Sequence, residues 1–210
     1  ILTAIVCHFL FSPYGFNPTD EGFVLSSSMR LLHGQIPHVD FSSLRPMGYG
    51  YLHIPELLIS KDYTFLISRF VFWLEMSLIA YFWALILQTR SAKYDLQSTI
   101  FLYLVTFIFN THYFPMAVLH TIDGLLLALI GFYILLRYEK LAGLGGLFIG
   151  YAVLCKQGFV VLIPLIIFLF PRKKIAFITS FIPGIIYVGY ISACGGWNDM
   201  LTQLTAHSEI

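Results

Sequence analysis

Asp20 and Glu21 are adjacent carboxylates just beyond a first apolar run, and they open the stretch DEGFVLSSSMRLLHG. A carboxylate held at a membrane surface is placed to take a proton from a water-soluble acceptor attacking a lipid-anchored donor. The pair has a plainer use too, since the N–H groups and dipole of a helix start favour negative charge. Asp123 follows Thr121 at the start of another apolar run, where helix capping competes with a chemical role. Lys156 separates two short apolar runs; a lysine there either snorkels to the interface or meets a headgroup, ligand or carboxylate. Glu75 interrupts an apolar run in WLEM and is expected to face other helices. Asp20 and Asp123 are the candidate pair for a divalent metal, with His33, His38, His112 and His120 as nitrogen donors. No His-x-x-x-His pair or carboxylate cluster supplies ligand spacing, so no cofactor is required.

The elements that position these residues belong to a membrane. Of 210 residues, 58% are hydrophobic and 11% charged, and the mean hydropathy is +0.81; soluble domains carry about a quarter charged residues. A net charge of +1 offers no basic stripe, which argues against a nucleic-acid partner. Cys7, Cys155 and Cys194 lie in or beside apolar runs and read as small packing residues, not a disulfide framework. The expected fold is all-α: a polytopic bundle of about seven spans at 1–11, 63–88, 98–112, 120–137, 142–155, 158–171 and 175–194. Gly146 and Gly150 form a G-x-x-x-G pair suited to close helix approach. The chain starts at Ile1 with a run too short to cross a bilayer, so it reads as part of a longer protein, one membrane domain over 1–210.

Lys/Arg placement orients the spans. Arg90 with Lys93, Arg137 with Lys140, and Arg172 with Lys173 and Lys174 mark three cytoplasmic loops. The intervening segments 111–119 and 195–210 contain no Lys or Arg, and 12–62 holds five acids against three bases, so these are outside. Residues 12–62 are far longer than the other connections, as functional loops tend to be. Within it, the stretch after Pro18 and Thr19 sets Phe23, Met29, Leu31 and Leu32 among small polar residues and reads as a short amphipathic interfacial helix, capped by Thr19 or Asp20 and ended by Gly34. MGYGYLHIPELLI, with Pro55 inside it, is too short to span and lies at the interface or leads into the second span.

The run NPTDEGFVLSSSMRLLHGQIPHVDFSSLRPMGYGYL resembles the first outer loop of the GT-C glycosyltransferases, in particular the protein-mannosyltransferase and aminoarabinose-transferase-like branch. That pattern has an Asp-Glu pair, Leu-Leu-x-Gly, Pro-Tyr-x-Asp-Phe, then Lys-Pro-Pro-Gly. The matching residues are Asp20 and Glu21; Leu31, Leu32 and Gly34; Pro37, His38, Asp40 and Phe41; Arg45, Pro46 and Gly48. His38 replaces the tyrosine, Arg45 the lysine and Met47 the second proline. HTIDGLLLAL and GLFIGYAVLCKQGFVVLIPL extend the resemblance through Asp123 and Lys156, so that it runs with gaps from about residue 1 to 170.

The resemblance implies an inverting enzyme of the plasma membrane or endoplasmic reticulum. It would move a sugar from a polyprenyl- or dolichyl-phosphate donor to a protein, lipid or glycan acceptor on the non-cytoplasmic side. Asp20, supported by Glu21, is then the catalytic base. Arg45 and Lys156 bind the donor phosphate, and His38 and Asp40 complete the substrate-binding set. Two rival readings are a lipid-linked sugar flippase and an inactive membrane scaffold. A flippase would favour an internal repeat and charges deep in several spans, of which the sequence shows little.

Overall fold

The computed structural model describes residues 1–15, 20–89, 95–170 and 173–206, with the side chains of Asp20 and Glu21 outside the description. Its helices are α1 (Leu2–Phe11), α2 (Asp20–Leu32), α3 (Gly48–Leu52), α4 (Ile54–Ile59), α5 (Thr64–Gln88), α6 (Leu96–Tyr113), α7 (His120–Arg137), α8 (Ala142–Cys155), α9 (Leu162–Leu169), α10 (Lys174–Ser180), α11 (Ile182–Ala193) and α12 (Trp197–Thr205). No strand occurs among the described residues, so the fold is all-α. Each of the seven apolar runs is helical, because a backbone removed from water must satisfy its own N–H and C=O groups.

Three helical stretches, Thr64–Gln88, His120–Arg137 and Lys174–Ala193, are long and apolar enough to cross a membrane. The third is a tandem of α10 and α11 meeting at Phe181, with Pro183 in the first turn of α11. The sixth run starts not as α-helix but as a 3-10 segment, Gln157–Val161, ahead of α9. Side chains such as Phe101, Phe109, Phe168 and Ile185 face outward, as expected of a surface solvated by lipid.

Helix α5 is central: it contacts α1, α6 and α7, while α7 packs on α8, and α8 on α10 and α11. Close approach of α8 and α10 depends on the paired glycines. A Cβ on Gly146 would fall 2.1 Å from the Ala176 carbonyl oxygen, and one on Gly150 2.1 Å from that of Ser180. The register shows that α8 and α10 run in the same direction, with α9 returning between them. At the far end, the Lys173 ammonium donates to the Leu135 carbonyl near the end of α7. Arg90, Lys93 and Arg172 lie outside the described residues.

The first loop is part of the core. Val24 and Leu31 of α2, with Met47 and Tyr49, share a buried cluster with Phe72 and Met76 of α5, Ile122 of α7 and Leu154 of α8. Phe23 and Leu32 are exposed at the two edges of that buried stripe, Phe23 stacked on the Tyr49 ring. Helix α2 ends as its sequence dictates: Gly34 adopts φ 77°, and the Gln35 N–H closes on the Arg30 carbonyl at 3.0 Å. The chain entering the loop is fixed by Arg69 of α5. Its guanidinium donates to the carbonyls of Ser12 (2.5 Å), Tyr14 (3.2 Å) and Gly15, and Trp73 Nε1 donates to Ser12 Oγ at 3.1 Å.

Candidate active site

The first loop, the start of α7 and the end of α8 meet at one end of the bundle. Gly48 makes this contact possible. A Cβ there would lie 2.6 Å from Leu154 Cβ and 2.7 Å from its backbone carbon, and Tyr151 Oη donates to the Gly48 carbonyl at 3.2 Å. Lys156 follows α8 directly in an extended conformation. Its Nζ donates to Thr121 Oγ1 of α7 at 3.0 Å, and the neighbouring Gln157 Nε2 donates to the Leu44 carbonyl at 3.2 Å. That last bond joins the residue beside Lys156 to the residue beside Arg45. Two half-buried cations thus share one end of the bundle with the start of α7.

Arg45 sits in a tight turn. The Ser43 hydroxyl donates to the Arg45 carbonyl at 2.7 Å, and the Arg45 N–H lies 3.3 Å from Ser43 Oγ. Among the described residues, no carboxylate forms an ion pair with its guanidinium. Asp40 is exposed and accepts the Ile36 N–H at 2.6 Å, closing a turn in which His38 takes φ 65°. His38 is buried: Nδ1 donates to Gln203 Oε1 at 2.8 Å, and Nε2 accepts the Tyr187 hydroxyl at 2.9 Å. The tautomer follows from these partners, since Gln203 Oε1 also accepts the Ser43 N–H and Tyr187 Oη accepts the Met47 N–H. Burial lowers the His38 pKa, and the Gln203 bond opposes that shift. The His38 ring therefore docks the loop on α11 and α12.

Asp20 and Glu21 are the first two residues of α2, and their side chains lie outside the described residues. Asp123, in the first turn of α7, is buried in a group that the sequence does not announce. His53, at the break between α3 and α4, places Nε2 3.1 Å from Asp123 Oδ1 and Nδ1 2.5 Å from Glu56 Oε1. Glu75, near the middle of α5, joins them: one donor atom each from His53, Glu75 and Asp123 lie within 4.8 Å of one another. Burial alone would favour neutral His53; the charge and hydrogen bond of Asp123, with those of Glu56, outweigh it and hold the pKa well above the ordinary histidine value. His53 and Glu56 are one helical turn apart, the one local signal for the group. Their meeting with Glu75 and Asp123 is tertiary.

Beside the Gly48 contact lies an open groove of about 540 Å³, lined by Tyr51, Tyr151, Tyr187 and Tyr190 together with aliphatic side chains of α8 and α11. Residues 56–207 match the family model of glycosyltransferase family 87. The matched segment takes in Glu56, Glu75, Asp123 and Lys156, and begins after Asp20, Arg45 and His53. No curated protein and no solved structure matches the chain.

Proposed function

Because the chain belongs to glycosyltransferase family 87, and is thereby a membrane glycosyltransferase, we propose that it transfers a sugar from a polyprenyl- or dolichyl-phosphate donor to an acceptor hydroxyl, inverting the anomeric carbon. Residues 12–62 form the first outer loop, and the reaction takes place on the non-cytoplasmic face. The observation that carries this reading is the meeting of Arg45, Lys156 and the start of α7 beside an apolar, tyrosine-lined groove. Phosphate needs cations and a prenyl chain needs an apolar surface; the two are adjacent here. The likeness of the first loop to the protein-mannosyltransferase and aminoarabinose-transferase-like branch supports the same donor class.

In the proposed step the acceptor oxygen attacks the anomeric carbon and the bond from that carbon to the phosphate oxygen breaks. The acceptor proton goes to the Asp20 carboxylate, and the lipid phosphate leaves with the bonding electrons. Arg45 offers a planar fork to the phosphate oxygens and Lys156 a point charge, so both stabilise charge that grows as the bond breaks. Glu21, the other member of the Asp-Glu pair, is assigned with Asp20 to the catalytic set on the same resemblance. Asp40 and His38 hold the loop's shape around the substrate, through the Ile36 N–H and through Gln203 and Tyr187.

The test is sugar transfer by folded full-length protein in vesicles supplied with radiolabelled polyprenyl-phosphate sugars. Asp20→Asn should lower the rate by about 10²–10⁴, the usual loss on removing a general base. Arg45→Ala and Lys156→Gln should chiefly weaken donor use. Transfer by Asp20→Asn at the parent rate would falsify the base assignment. Reporter fusions after Gln35 and after Arg90 should report opposite sides of the membrane; the same side for both would remove the outer-face placement.

A further inference from the structure

We propose that His53, Glu75 and Asp123 bind one divalent transition-metal cation, with Glu56 outside the coordination shell as the partner that orients His53. The proposal goes beyond the lipid-phosphate reading and stands or falls separately from it. Three elements supply the donors: the break between α3 and α4, the middle of α5 and the first turn of α7.

The geometry fits an ion. Donor atoms about 2.0–2.2 Å from a metal lie roughly 3 Å apart at neighbouring positions and about 4.2 Å apart at opposite ones. His53 Nε2 and Asp123 Oδ1, 3.1 Å apart, already form one edge of such a shell. Against the 4.8 Å bound on the whole set, Glu75 needs to close by at most about 0.6 Å for an opposite position or about 1.8 Å for a neighbouring one. Glu56 takes the outer role familiar at metal-bound histidines: accepting the Nδ1 proton fixes the tautomer and turns the Nε2 lone pair toward the site.

Unpartnered oxygens point the same way. Asp123 Oδ2, Glu75 Oε2 and Glu56 Oε2 have no hydrogen-bond partner, and their residues are only 1%, 9% and 3% exposed. A proton on His53 Nε2 serves Asp123 Oδ1 and reaches neither Asp123 Oδ2 nor Glu75 Oε2. One nitrogen with two carboxylates suits Mn²⁺ or Zn²⁺ better than the all-oxygen shells of Ca²⁺. In this position the ion would tie the first loop to the two helices that flank it.

The experiment uses the full chain in detergent, stripped with a chelator and titrated with Mn²⁺ and, separately, Zn²⁺. Bound metal is read by electron paramagnetic resonance or elemental analysis, and stability by thermal unfolding. One ion per chain and a higher unfolding midpoint are expected. Glu75→Gln and Asp123→Asn, near-isosteric changes, should abolish binding, and Glu56→Gln should weaken it about 10–100-fold while keeping the stoichiometry. Circular dichroism and gel filtration identify any variant that fails to fold, and Glu56→Gln then carries the test. Overturning results are wild-type protein that binds no more metal than the Glu75→Gln variant, or an unfolding midpoint that ignores both ions. Neither readout involves sugar transfer, so failure here leaves the donor and base assignments standing.

Discussion

The first loop docks on the bundle through two histidines, each 1% exposed. His38 meets only neutral partners, the Gln203 amide and the Tyr187 hydroxyl. His53 lies between two carboxylates, with a third close by. Equal burial therefore produces opposite electrostatics: the His38 pKa falls because nothing charged compensates for lost water, and that of His53 rises because Asp123 and Glu56 do. A neutral, fully bonded imidazole holds a loop in place. An imidazole among carboxylates with spare oxygens can exchange a proton or an ion as well.

The largest expected difference between these regions comes from truncating Asp123. Asp123→Ala removes the partner of His53 Nε2 and should cost about 3–5 kcal/mol, as breaking a buried pair does; His38→Ala should cost about 1–3 kcal/mol for the lost hydrogen bonds to Gln203 and Tyr187. In the His38→Ala variant the Gln203 oxygen keeps the Ser43 N–H, so the loss comes from the Tyr187 hydroxyl proton left without an acceptor and from the space the ring vacates. Thermal or denaturant unfolding in one detergent measures both variants, and equal losses would erase the distinction. Gly48→Ala tests how tightly the His53 side is held. The new methyl group would meet backbone as well as side-chain atoms of Leu154, so a loss of about 1–3 kcal/mol is expected, and unchanged stability would mean that the loop and α8 separate easily. The smallest effect is the response of His38 to acid. Its pKa is lowered on folding, so its stabilising contribution is present above the ordinary value of 6.5 and is lost as pH falls from there toward the folded value. The stability difference between the parent and His38→Gln should narrow over that window, and a constant difference would contradict a neutral His38.

What the sequence disclosed depended on how far apart the deciding residues are. Long apolar runs report their helices directly, and Gly34 reports the end of α2, because each is settled within a few residues. The 3-10 entry to α9 and the join at Phe181 escaped hydropathy, which counts apolar residues without seeing hydrogen-bond register. Asp123 was legible as a candidate, but its partners were not: His53 and Asp123 are 70 residues apart, and no ligand spacing survives such a separation. Glu75 offered a hint, since a carboxylate in an apolar helix needs company. The resemblance reached Arg45, Gly48 and Lys156, and the fold gathers these at one end.

Arg69 gives the loop a leash. Its guanidinium grips the chain at Ser12, Tyr14 and Gly15, and five peptide units lead from Gly15 to Asp20, which caps their separation at about 18 Å. The start of α2 therefore stays within that radius of the anchor. A lysine at the same place would have to meet all three carbonyls from a single nitrogen, where the arginine fork divides them between two.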